Sequence, residues 1–171
     1  RPDSIIEGSS VHEARKQAGR FLAQEHWLVG LSIDGTQAMH DAYRLDAAGH
    51  GTWERVIRAI EMLDEHGVEW NAMAVVNAYN ANHPLEFYHF FKDNGCQYLQ
   101  FTPIVERLTQ HQDGRTLASL ADNHEIPLAD FSVTPEQWGS FLCAIFDEWV
   151  HNDVGKMFVE IFDCTLANWM G

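Results

Sequence analysis

Trp27-Leu28-Val29-Gly30-Leu31-Ser32-Ile33, closed by Asp34-Gly35, is the stretch on which the fold turns. A mostly apolar run without polar alternation reads as a strand buried on both faces, and Asp-Gly supplies the turn that stops it. Upstream, Ser10-Val11-His12-Glu13 has the capping-box pattern, and Val11, Ala14, Ala18, Phe21 and Leu22 share one helical face, which predicts a helix over about residues 10–25. Downstream, Thr52 caps a second helix with the apolar face Trp53, Val56, Ile57, Ile60 and Leu63, and Gly67 stops it. Val68 to Val76 reads as a strand, Pro84 to Asn94 as a helix closed by Gly95, and Gln97 to Thr102 as a third strand closed by Pro103. Strands alternating with helices over short connections imply right-handed crossovers and a parallel sheet, an α/β fold.

Residues 105–133 carry no period and are expected to form a long, mobile loop. Thr134-Pro135-Glu136-Gln137 then places a cap, a first-turn proline and a capping-box glutamine ahead of Trp138, Phe141, Leu142, Ile145, Phe146 and Trp149, whose spacing is that of a core face. Lys156 to Phe162 reads as extended, and Asp163 is expected to cap a last helix through Trp169. With 171 residues and 46% hydrophobic content, residues 1–171 suit a single domain. The net charge of −14 repels phosphate backbones and anionic lipid surfaces, so nucleic acid and membranes are not expected partners. No apolar run reaches the roughly 20 residues of a spanning helix, and Arg1 to Gly8 lack the apolar core of a secretory signal, which points to the cytoplasm.

Ligands of parallel α/β folds bind at the carboxyl ends of the strands, here Ser32 to Gly35, Asn77 to Asn80 and Thr102 to Ile104. The loop His40-Asp41-Ala42-Tyr43-Arg44 can return over the first strand end and bring the Arg44 guanidinium beside the Ser32 hydroxyl, where a carboxylate would bridge them. Asp34 and Asp41 are competing partners for Arg44, as a structural loop clasp. His40 reads as a loop hydrogen-bonder. The pairs His83 with His89 and His111 with His124 lack ligand spacing, and Cys96, Cys143 and Cys164 lie too far apart for a metal knuckle. No metal ligand and no catalytic base is assigned, and the chain has neither a glycine-rich phosphate loop nor a nucleophile elbow.

Leu28 to Gly35 followed by His40-Asp41-x-Tyr43-Arg44 resembles the radical S-adenosylmethionine (SAM) enzymes that mature sulfatases anaerobically. The resemblance extends through Gly67 to Asn71, Val75-Val76-Asn77, His83 to Glu86, Gln100 to Arg107, Val133 to Gln137, Phe146 to Trp149, Asp153 to Gly155, Ile161 to Asp163 and Leu166 to Trp169. It implies an open, partial (β/α)6 barrel of the TIM type, whose second half would be these parallel βα units, with residues 1–20 a divergent or junction segment. It further implies that the parent protein cleaves SAM at a 4Fe-4S cluster and oxidises a Cys or Ser of a sulfatase polypeptide to formylglycine. The Cys-x3-Cys-x2-Cys loop for that cluster and the cysteines of the C-terminal SPASM domain are not in this chain, so the segment alone is expected to be inactive. Ser32 and Arg44 match the family's Ser and Arg at the methionyl end of SAM. Another SPASM-type enzyme acting on a peptide, or a cluster-free barrel half serving as a binding or assembly module, are the alternatives. Open strand edges further imply self-association.

Overall fold

A computed structural model of the chain describes residues 3–111, 114–117 and 127–171, with side chains from residue 13 onward except those of 108–126. Helix α1 (Asp3–Gln24) leads to strand β1 (Val29–Ser32), the short α2 (Gln37–Asp41), α3 (Trp53–Glu65) and β2 (Trp70–Val76). A 3-10 turn over Asn80–Asn82 precedes α4 (Pro84–Asp93) and β3 (Tyr98–Pro103), and a hairpin β4 (Leu108–His111) and β5 (Gly114–Leu117) follows. Helix α5 (Pro135–Asn152), β6 (Phe158–Val159) and α6 (Glu160–Met170) complete the chain. The main sheet has the order β1-β2-β3-β6, and every pair in it is parallel. The chain is therefore an α/β fold with a parallel sheet.

Of the helix ends expected from the sequence, the start of α5 and the stop of α3 form as read, whereas Thr52 precedes α3 without a side-chain cap bond. Thr134 and Gln137 form the reciprocal capping box at the start of α5, while Gly67 follows α3 at φ 66°, a left-handed stop that costs a residue without Cβ nothing. Register puts Ala72, Ala74 and Val76 of β2 and Leu99 and Phe101 of β3 on one face of the sheet. Against that face pack Ile60 and Leu63 of α3, Phe87 and Phe91 of α4, Phe141, Ile145 and Trp149 of α5, and Phe162 of α6. The aromatic row of α5 is thus core at Phe141 and Trp149, although Phe146 is exposed on one side. Below it, the buried Asp153 carboxylate accepts hydrogen bonds from the Tyr88 hydroxyl and the Lys92 ammonium, both at 2.9 Å, tying the end of α5 to α4. Burial and that neighbouring carboxylate push the Tyr88 hydroxyl well above the usual tyrosine range.

Several expectations change. The strand Trp27 to Ile33 is not buried on both faces: Trp27 and Leu28 are exposed, and Gly30 and Ser32 stand on an uncovered face of the sheet beside Met73. Met73 stays exposed on that face, and β1 is an edge of the sheet among the described residues. Helix α1 begins at Asp3, so Ser10 lies inside it rather than at its cap; the Ser10 side chain of that capping box lies outside the described ones. The polar loop after β1 contains a helical turn, α2, with Met39 and His40 buried. Within the aperiodic 105–133 segment the backbone pairs as an antiparallel hairpin, and residues 112, 113 and 118–126 lie outside the described ones. Finally, α6 starts at Glu160, three residues before Asp163. Val159 has no side-chain oxygen to cap with, so Asp163 reaches back from inside the first turn and accepts the Val159 N–H at 2.7 Å, satisfying an otherwise orphaned donor and shortening the extended segment to β6.

Candidate functional site

The carboxyl ends of β1, β2 and β3 open onto a cleft of about 370 Å³ lined by Asp34, Tyr43, Arg44, Val75, Asn77, Ile104 and Phe131. Asp34, directly after β1, is buried, and its carboxylate is fully engaged. Oδ1 accepts the Val75 N–H of β2 at 2.8 Å and Nη2 of Arg44 at 3.0 Å, while Oδ2 accepts Nε of Arg44 at 2.5 Å. A guanidinium gripped along its Nε edge keeps both Nη1 hydrogens and one Nη2 hydrogen. Arg44, with a side chain 30% exposed, carries those remaining donors at the cleft. Tyr43 and Phe131, which also line it, meet edge to face with ring centroids 6.2 Å apart, so a cation and an apolar surface share one opening.

Two buried polar networks hold these strand ends. Asn80 accepts the Asn77 N–H through Oδ1 and donates from Nδ2 to the carbonyls of Val75 and Asp34, at 2.9 and 3.4 Å, which binds the end of β1 to the end of β2. Asn77 accepts the amides of Tyr79 and Asn80 and so closes the turn on itself. The second network centres on His40, which is completely buried. Its Nδ1 accepts the Asp34 N–H at 3.2 Å, and its Nε2 lies 3.0 Å from the Thr52 hydroxyl, which donates its own proton to the Arg44 carbonyl at 2.9 Å. Thr52 can therefore only accept from His40, and the ring is the neutral Nε2–H tautomer. Burial, with the Arg44 charge, holds its pKa below the ordinary imidazole value against the opposing pull of Asp34 and Asp41.

That depression fixes the sign of a pH effect. Between the folded and unfolded pKa of His40 the unfolded chain binds more protons, so stability rises with pH there. The contribution of neutral His40 is complete above about pH 6.5 and is lost as the pH falls from that unfolded value through the folded one. Melting temperatures taken across this acid range should fall more steeply for the parent chain than for His40→Asn. Parallel slopes would show that His40 does not titrate on unfolding.

Of the residues singled out in the sequence, Arg44 lies in the cleft and is paired with Asp34, one of the two acids that competed for it. Asp41 instead accepts the Trp53 N–H at 2.9 Å at the start of α3. Ser32 is the last residue of β1, exposed on the uncovered face of the sheet, and it is not among the residues lining the cleft. Asp34 is one of the two clasp partners the sequence offers for Arg44, while its bond to the Val75 amide and the bracing by Asn80 are not legible there. The available signal for Asp34 and Asn80 was their placement, each just past a strand end with a turn behind it. His83 and His89 are half-exposed beside Glu86 and Glu148; the His124 of the other pair lies outside the described residues. Cys96 is buried, which pushes its thiol up to about 12, while Cys143 on α5 and Cys164 on α6 are exposed. Among the described residues no group of three or more His, Cys, Asp or Glu is arranged to hold a metal ion, and no helix is long and apolar enough to cross a membrane.

No family model matches the chain. Over 151 residues, 88% of its length, it is 62% identical to a serine-type anaerobic sulfatase-maturating enzyme of Bacteroides thetaiotaomicron. Over 166 residues, 96% of its length, it is 30% identical to a cysteine-type anaerobic sulfatase-maturating enzyme of Clostridium novyi. The chain spans 36% and 40% of the lengths of these relatives. Its fold is similar to that of native anSMEcpe solved with bound AdoMet and the Cp18Cys peptide, with a TM-score of 0.71 and 27% identity, covering 86% of this chain and 38% of that one.

Proposed function

The chain belongs to the family of anaerobic sulfatase-maturating enzymes, and from that premise we propose that it forms the second half of an open, partial (β/α)6 barrel in an oxidoreductase. The reaction would convert a Cys or Ser of a sulfatase polypeptide to formylglycine. Bound SAM would supply the hydrogen-abstracting power. The observation that carries this reading is the Arg44 guanidinium, anchored on one edge and free on the other, in a cleft at the strand ends. The residues present fit SAM. Its methionyl carboxylate matches the remaining donors of Arg44, and the Tyr43 and Phe131 rings offer an apolar wall that excludes water; Ser32, outside the cleft lining at the end of β1, is the second donor by its match to the family's Ser. The role of this chain is orientation: Arg44 and Ser32 fix one end of SAM so that its reactive end faces the substrate side of the barrel. A cytoplasmic location belongs to the same proposal.

A 4Fe-4S cluster does not fit the three thiols of this chain, which sit on separate elements with Cys96 buried. Anaerobic reconstitution of the 171-residue chain with iron and sulfide is therefore expected to leave it without stoichiometric cluster iron. Stoichiometric iron with charge-transfer absorbance would refute that assignment. The isolated chain should also self-associate, because β1 and β6 end the sheet among the described residues and the face bearing Met73 and Phe158 is uncovered. A strictly monomeric mass by light scattering at micromolar concentration would contradict this. The function itself is tested with the full-length parent enzyme as the anaerobically reconstituted holoenzyme, incubated with reductant, SAM and sulfatase-derived peptides containing Cys or Ser at the target position. Mass spectrometry should find the aldehyde of formylglycine, trapped as its hydrazone. Persistence of unmodified peptide, with SAM cleavage intact, would move the enzyme to another substrate.

A further inference from the structure

We propose that Asp34 and His40 are positioning residues for Arg44, setting the guanidinium before a ligand arrives. The inference rests on the reading of Arg44 as the clamp for the SAM carboxylate, and goes beyond it by assigning what aims that clamp. Two independent sets of contacts converge on Arg44. From the side-chain end, the buried Asp34 carboxylate takes Nε and Nη2, and is itself fastened to β2 by the Val75 N–H. The guanidinium is thereby referred to two parallel strands rather than to its own loop. From the backbone end, the Thr52 hydroxyl holds the Arg44 carbonyl, and His40 orients that hydroxyl while its other nitrogen accepts the Asp34 amide. The same imidazole thus ties together the residue that grips the side chain and the residue that grips the main chain.

This arrangement bears directly on binding. A free arginine side chain loses rotamer entropy when a ligand orders it, and that loss is subtracted from affinity. Here the ordering accompanies folding, so a carboxylate meets a fork already in place. The pairing also decides which edge it meets, because the Nε edge is occupied and the two Nη1 hydrogens with the second Nη2 hydrogen remain for a bidentate or single charge-assisted contact.

The test is a double-mutant cycle read as the SAM dissociation constant of the anaerobically reconstituted holoenzyme by calorimetric titration. Asp34→Asn is isosteric and retains an oxygen for the Val75 N–H, but loses the charge and half of the acceptor edge facing Arg44. It should weaken SAM binding by about 10-fold in the parent and less than about 2-fold in an Arg44→Ala background. His40→Asn keeps an acceptor for the Asp34 amide yet cannot reach Thr52, and its smaller loss should likewise vanish once Arg44 is gone. Thr52→Val removes the bond to the Arg44 carbonyl, and the Nε2 partner of His40 with it, while leaving the Asp34 carboxylate untouched, and serves if Asp34→Asn fails to fold. Equal losses in both backgrounds would overturn the inference while leaving the clamp standing, as would an unchanged dissociation constant in the single variants. If Arg44→Ala alone leaves SAM affinity intact, the clamp reading itself fails and the positioning role falls with it.

Discussion

Arg44→Ala in the holoenzyme is expected to weaken SAM binding by about 10- to 150-fold, the equivalent of roughly 1.5–3 kcal/mol for a hydrogen bond to a charged group. Arg44 is partly exposed, and solvent screening places the expected loss in the lower half of that range. Truncation has a second consequence, because it leaves the buried Asp34 carboxylate with the Val75 amide as its remaining partner of the two and so lowers thermal stability as well. Arg44→Lys should restore stability in part but affinity poorly, since one ammonium cannot grip Asp34 along an edge and still offer a planar fork to a ligand. Calorimetric titration and a melting curve on the same preparations separate the two effects. A stability loss with unchanged SAM affinity would make the Arg44–Asp34 pair a structural clasp.

The largest loss of stability should come from Phe87→Ala. Phe87 is fully buried and its ring meets those of Phe91, Phe101 and Phe141 at centroid distances of 5.0, 5.9 and 5.2 Å, joining α4, β3 and α5. Removing it forfeits the transfer energy of the ring and leaves a cavity among partners on three elements, for which about 3–5 kcal/mol is expected. Phe87 also supports the site. Gly35 sits at φ 99°, and a Cβ there would stand 2.8 Å from the Met39 sulfur and 3.0 Å from the Phe87 ring. The turn that follows Asp34 is therefore packed on the core from beneath. Chemical denaturation measures the loss; a change under about 1 kcal/mol would mean that the aromatic cluster collapses to fill the space.

The elements legible in the sequence are those whose ends carry local chemistry. Gly67 and Gly95 after α3 and α4, and the Thr134 to Gln137 box before α5, work within a few residues, so reading along the chain finds them. Long-range pairing decides the rest. The Trp27 to Ile33 run looks doubly buried because composition reports apolarity and not which layer covers a face. Asp163 looked like a cap because helix-starting acids usually precede the helix, whereas here it reaches backward to Val159. At the site, Arg44 was visible as a cation in a loop beside a strand end. Its partner was not, because Asp34 and Asp41 are both near in sequence and only the Val75 amide of the next strand and the Trp53 amide of α3 separate their roles. The burial of His40 likewise depends on Thr52, beyond a loop whose course the sequence does not dictate.

In the proposed enzyme the free edge of a pre-aimed Arg44 receives the carboxylate of SAM at the ends of these parallel strands. The most direct measurement is a crystal structure of the anaerobic holoenzyme with SAM bound. A methionyl carboxylate oxygen is expected within about 3.2 Å of Arg44 Nη1 and the other within reach of the Ser32 hydroxyl, with the Arg44 Nε edge still on Asp34. A carboxylate seated elsewhere, with Arg44 touching Asp34 alone, would contradict it.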